Sequence, residues 1–127
     1  MFIGVLQFEL VVPGSRSLKD KRRVVKSVKD RLHREHMVSV AEVEALEHHR
    51  LAVMGLACVS NSTTHINSVL DRITEKLRSL RDARLGDVAR EVLHGDHLPH
   101  AAETPGEAPE PLWTEDERRA EPQDPTA

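Results

Sequence analysis

The sequence predicts an α+β domain in the order β-α-β-β-α-β, followed by a tail of different character. Three observations carry that expectation. Apolar residues alternate in period two, or run unbroken, at four places. Two amphipathic stretches of helical period separate them, each preceded by N-capping residues. Near residue 95 the composition changes abruptly.

Residues 2–12, FIGVLQFELVV, form the first strand. Phe2, Leu6, Phe8 and Leu10 share one face, and Gln7 and Glu9 mark the other. Pro13-Gly14 ends it. Ser17-Leu18-Lys19-Asp20 matches a capping box, in which the Ser side chain bonds an orphan amide and the acid reaches back. Leu18, Val25, Val28 and Leu32 recur at helical spacing with charges in the gaps, so the first helix spans 17–35. Val38 to Glu44 alternates again as the second strand, and Glu47-His48-His49 is polar enough for a turn. Leu51 to Val59 is nearly all apolar, the expected signature of a central strand buried on both faces. Ser60-Asn61-Ser62 offers N-caps for a second helix with the stripe Ile66, Val69, Leu70, Ile73, Leu77 and Leu80. Arg84 to His94 closes with a weaker strand, Val88 and Val92 facing opposite Asp87 and Glu91.

Right-handed crossovers then place two helices on one face of a four-stranded antiparallel sheet, a ferredoxin-like split βαβ over residues 1–95. In that topology the first and third strands, which are the most apolar, fall at the centre.

Residues 1–95 hold 16 basic and 12 acidic side chains, whereas 96–127 hold 2 basic and 9 acidic. Six of the seven prolines lie in that last stretch. Such a segment cannot bury enough surface to offset ordering, so 96–127 reads as a disordered acidic tail whose one apolar point is Leu112-Trp113. No apolar run approaches the ~20 residues that span a bilayer. The N-terminus lacks the pattern of a secretory signal, and the lone Cys58 suits a reducing compartment. The expectation is a cytoplasmic protein with no membrane contact and no cofactor.

Four blocks together suggest a family. They are Met1 to Leu6, Leu10 to Arg22 (LVVPGSRSLKDKR), Val38 to Val43 (VSVAEV) and Gly55 to Asn61 (GLACVSN). The joint pattern resembles the YlxP-like family, small bacterial proteins known as a domain of unknown function, over residues 1 to about 95. The resemblance implies a ferredoxin-like fold and an intracellular protein. It also implies gene neighbours concerned with transcription termination, translation initiation and ribosome maturation, hence a role near the ribosome or its RNA. It supplies no catalytic residues. Two features depart from it: the hairpin Leu46 to Arg50 lacks the aromatic often found in relatives, and the acidic tail is an addition.

Charge is the strongest functional signal. Between Ser15 and His36 stand nine basic residues against three acids. At 100° per residue, Lys19, Arg22, Arg23, Lys26 and Lys29 cluster away from the apolar stripe, with Arg16 just ahead of the helix. Such a row can track a phosphate backbone. Readers of single-stranded RNA on this fold stack bases on sheet aromatics, but the third strand has none and Phe8 belongs to the core. The other face would carry Gln7 and Glu9 and repel RNA, so RNA should bind along the helix by backbone contacts.

Pro13-Gly14-Ser15-Arg16-Ser17 resembles an anion cradle at a helix N-terminus. Acylphosphatases share the topology and hold phosphate in the corresponding loop, which makes a small phosphohydrolase the enzymatic alternative. Their glycine-rich signature is absent, and a tight turn plus a cap explains these residues equally well. His94, His97 and His100 with Asp96 raise a metal reading, but they sit where the domain gives way to the Pro-rich tail. Cys58 reads as a buried, inert thiol.

Finally, two helices cover one sheet face only. Ala52, Met54, Leu56 and Cys58 alternate with Leu51, Val53, Gly55, Ala57 and Val59, and one of these two apolar rows is left over, which predicts a homodimer through the open face unless the tail covers it. The reading is therefore a non-enzymatic protein that contacts ribosomal RNA or a ribosome-associated protein through Arg16, Lys19, Arg22, Arg23, Lys26 and Lys29. The acidic tail is expected to compete for that helix. A dimeric protein-binding scaffold is the alternative.

Overall fold

A long strand, β1 (Phe2–Val11), holds the centre of the sheet in the computed structural model, which describes residues 1–96, 98 and 99. It is followed by α1 (Leu18–Glu35), β2 (Ser39–Glu44), β3 (Leu51–Ser60), α2 (Thr63–Arg78) and β4 (Arg84–His94). The strands form one sheet in the order β2-β3-β1-β4 with every pairing antiparallel. This is the ferredoxin-like arrangement expected, with β1 and β3 at the centre. Their ladder runs without a shift from Phe2 opposite Ser60 to Val11 opposite Leu51.

One face of the sheet is dry. Leu6, Phe8 and Leu10 of β1 lie beside Ala52, Met54 and Leu56 of β3, and all six are buried. Val25, Val28 and Leu32 of α1 and Ile66, Leu70, Ile73 and Leu77 of α2 complete that core. Each such side chain contributes roughly 1.5–3 kcal/mol on leaving water. Gly4 is required by this packing, because a Cβ there would overlap Ile66 of α2 and stand 3.1 Å from Cys58 Sγ.

The helix ends follow their capping residues. Ser17 Oγ accepts the Asp20 N–H at 3.2 Å, and Ser62 Oγ accepts the His65 N–H at 3.2 Å. The expected box is shifted by one residue. Asp20 Oδ2 accepts from the Arg16 N–H at 3.0 Å instead of from Ser17, fixing the chain one step before the cap.

Three expectations need correction. β3 is not buried along the whole of both faces: on the side away from the helices Val53 is buried, but Leu51, Gly55 and Ala57 are half-buried and Val59 is 66% exposed, because both helices lie on the other side. Leu18 is half-buried and outside the core, its expected place in the stripe being taken by Lys21. Val38 precedes β2, and Leu80 lies past α2 in the connection to β4, although both pack against the core. The tail reading, like His97, His100 and Leu112-Trp113, lies outside the described residues apart from 96, 98 and 99.

The topology gathers three connections at one end of the sheet. Val11 pairs with Leu51 on one side and Arg84 on the other, so the β1–α1, β2–β3 and α2–β4 connections meet there. Arg50 ties two of them, its carbonyl accepting the Val12 N–H at 2.8 Å and its Nε donating to the Ser15 carbonyl at 3.3 Å.

Candidate functional site

The outward face of α1 is cationic for a reason visible in its acids. Each acid of the helix is already engaged: Asp20 with the Arg16 N–H, Asp30 with Lys26 at 2.8 Å, and Glu35 with Lys76 of α2. The hydrogen bond from Lys26, with Arg34 and His33 adding positive charge, holds the Asp30 carboxyl below its usual value. Among the described residues Arg16, Lys19, Arg22, Arg23, Lys29, Arg31 and Arg34 join no ion pair.

The six residues expected to form the site are not equivalent. Arg16, Lys19, Arg22 and Arg23 are exposed, Arg16 in the β1–α1 connection and the others on α1. Lys26 is exposed but already paired with Asp30. Lys29 is half-buried, since it lies one turn from both Val25 and Leu32 of the core stripe.

Lys21 corrects the charge count. It is one of the nine basic residues between Ser15 and His36, yet it is fully buried and adds nothing to the solvated face. Its Nζ donates to Glu42 Oε2 at 2.7 Å and to the carbonyls of Ala45, Leu46 and Leu51 at 2.9, 3.2 and 3.3 Å. The ammonium thus organises the β2–β3 hairpin. Ala45 adopts φ 59°, a left-handed conformation unusual for alanine, in the turn whose carbonyls converge on this ammonium.

Beside α1, where the connections meet, a cleft of about 670 Å³ opens. Pro13, Gly14 and Ser15 form one side, Asp20, Arg23 and Val24 of α1 another, and Leu80 to Arg84 of the α2–β4 connection the third. A smaller hollow continues it along α1 past Ser27 to Arg31. Sequence reasoning missed Arg81 and Arg84. The signal was available only through topology, since a split βαβ brings the β1–α1 and α2–β4 connections to the same end.

The open face of the sheet has two ends. At one, Val59, Ile3 and Leu93 stand side by side across β3, β1 and β4, with Val59 and Leu93 exposed. At the other, Glu9, Glu44 and Asp87 line a shallow depression with Gln7 and Val53. Glu9 Oε1 accepts the Asp87 N–H at 3.1 Å where β4 slips register against β1. Phe2 and Phe8 belong to the helix-covered face, so the open face carries no Phe or Trp among the described residues.

Three further groups, Cys58, His36 and His94, lie away from α1's outward face. Burial pushes the Cys58 thiol up, with the Gly4 N–H opposing. Burial also pushes His36 down, assisted by the Arg72 charge, and its Nε2 is buried with no hydrogen-bond partner. His94 ends β4 with its ring edge-on to Phe2, centroids 4.8 Å apart. Among the described residues no three His, Cys, Asp or Glu side chains gather to hold a metal, and no helix is long and apolar enough to cross a membrane.

Fold and surface together define a small ferredoxin-like α+β domain with one cationic helix, a cleft at its flank and a polarised open sheet. The chain belongs to the family of proteins of unknown function DUF503, whose model matches residues 3–90. No curated protein matches it. A de novo designed protein with a ferredoxin fold, solved in solution, is similar at 16% identity and TM-score 0.42, covering 84% of this chain and 98% of that one.

Proposed function

We propose that this domain binds structured RNA, ribosomal RNA above all, through the outward face of α1 by contacts to the phosphate backbone. The observation that carries the reading is the commitment of Asp20, Asp30 and Glu35 to other partners, which leaves Arg16, Lys19, Arg22 and Arg23 exposed without counter-ions among the described residues. An acidic, aromatic-free open sheet supports the same reading by elimination, because base stacking on the sheet has no platform there. The resemblance to YlxP-like proteins and their ribosome-related gene neighbours supports it as well.

The test is a titration of a structured ribosomal RNA fragment at two salt concentrations, repeated with Lys19→Glu, Arg22→Glu and Arg23→Glu combined. Affinity should fall with salt, and the triple variant should lose at least roughly tenfold and flatten the salt slope by about 3. Binding insensitive to these changes overturns the reading. Deleting residues 97–127, which carry 8 acidic against 2 basic side chains, should tighten binding at low salt.

A second reading concerns the open sheet. Its apolar end (Val59, Ile3, Leu93) and its acidic end (Glu9, Glu44, Asp87) are separate, so two copies related by a two-fold axis can bury the former while keeping the latter apart. A second copy of this chain is the occupant this arrangement suits. Light scattering should give a dimer mass that Val59→Asp reduces to that of a monomer, and a monomeric wild type excludes it.

A further inference from the structure

The cleft beside α1 has features that backbone tracking by a helix does not need. Its volume of about 670 Å³ lies within the ~300–1,000 Å³ typical of small-molecule sites. Val12, Val24, Leu80 and Ala83 give it an apolar lining, and Arg23, Arg81 and Arg84 line it as well. None of these guanidinium groups joins an ion pair among the described residues, nor does Arg31 in the adjoining hollow. Two carboxylates line the cleft: Asp20, whose Oδ2 already accepts the Arg16 N–H, and Asp82, which joins no ion pair among the described residues.

Gly14 adds an independent observation. A Cβ at this position would meet nothing within 4 Å, and its backbone lies outside the left-handed region that favours glycine. Neither internal packing nor conformation demands a glycine there. Gly14 lines the cleft, and a side chain there would project into open space.

We infer that the cleft takes one unpaired nucleotide of the RNA bound by α1. The sugar and base lie against Val24, Leu80 and Ala83, the flanking phosphates meet the guanidinium groups of Arg23, Arg81 and Arg84, and Asp82 accepts from a sugar hydroxyl or a base amine. An apolar floor with a guanidinium rim suits this ligand, whose middle is weakly polar and whose two ends are anionic. A regular duplex has no base or sugar free to enter. The inference rests on the proposed function and deepens it, from any phosphate backbone to RNA carrying a bulged or looped-out residue.

The experiment compares two RNA hairpins of equal stem length, one with a single-nucleotide bulge and one fully paired, binding to the full chain. Wild type should bind the bulged hairpin about tenfold more tightly, the order expected for one well-held nucleotide. Arg81→Gln with Arg84→Gln should erase that preference while leaving salt-dependent binding to the paired hairpin. Gly14→Leu, which adds bulk without charge, should erase the preference too, with thermal melting confirming the fold of both variants. Equal affinity of wild type for the two hairpins overturns the cleft assignment and leaves the α1 reading standing. So does a preference that survives both variants. Failure to bind either hairpin overturns both.

Discussion

Lys21 Nζ lies 2.7 Å from Glu42 Oε2, a contact between the helix-facing side of β2 and a fully buried position on α1. One cation of a strongly basic helix is thereby removed from solvent and made part of the architecture. Removing its charge would leave the Glu42 carboxylate without its cation and take one donor from the carbonyls of Ala45, Leu46 and Leu51, of which Ala45 keeps the His48 N–H. Lys21→Met should cost roughly 3–5 kcal/mol, the range for breaking one partner of a buried pair. Lys19→Met, at an exposed position two residues earlier, should stay within about 0.5 kcal/mol. Chemical denaturation of the two variants checks this, and equal midpoints would show that the buried ammonium is dispensable.

At Gly4, β1 and α2 approach so closely that a Cβ would overlap Ile66. Gly4→Ala forces Ile66 or the backbone to move, at a cost of about 1–3 kcal/mol. A melting temperature unchanged from wild type would contradict the tight approach of helix and strand.

His36 makes stability depend on pH. Burial lowers its pKa in the folded protein below the ordinary 6.5. As pH falls below about 6.5 the unfolded chain therefore takes up the proton first, and stability declines until the folded value is passed. Melting curves from pH 7.5 down to 5 should show wild type losing stability relative to His36→Gln (the pH values are about those bracketing an ordinary histidine). Parallel profiles would sink the assignment. Asp30 acts in a separate, more acidic window: its lowered pKa gives stability above 3.8 that is lost as pH falls through the folded value.

Cys58 should be silent to thiol reagents in the native state. The side chain is buried and burial raises its pKa, which depresses the thiolate that reacts. Labelling by a chromogenic disulfide at neutral pH should follow global unfolding, and rapid labelling of the native protein would show that this edge of the core opens readily.

Much of the fold was legible in the sequence because burial imposes a period. The β4 bounds Arg84–His94, the N-cap Ser17 and a second cap within residues 60–62 followed from alternation and capping, and the central places of β1 and β3 from the topology those elements define. The two faces of β3 were not legible. An apolar row reads the same whether or not a layer covers it, and Val59 and Ala57 are indistinguishable in sequence from core residues. Lys21 was harder still. It stands four residues before Val25 and seven before Val28, on the apolar stripe itself, but its acceptors are a distant carboxylate and three carbonyls that only the folded hairpin assembles. The cationic face of α1 was visible as composition. Its completion by Arg81 and Arg84 was not, since these residues are roughly sixty positions from Arg23 along the chain and meet it only where connections converge.

Because β1 bonds β3 along one side and β4 along the other, the earliest strand of the domain is completed by its latest. A nascent chain can assemble β1, α1, β2, β3 and α2 while β4 is still inside the ribosomal tunnel. Until Arg84–His94 emerges, the amides and carbonyls of Phe2–Val11 along that side have no partner strand. A ribosome stalled within that interval would display an unsatisfied edge of ten residues, open to capture by any extended segment nearby.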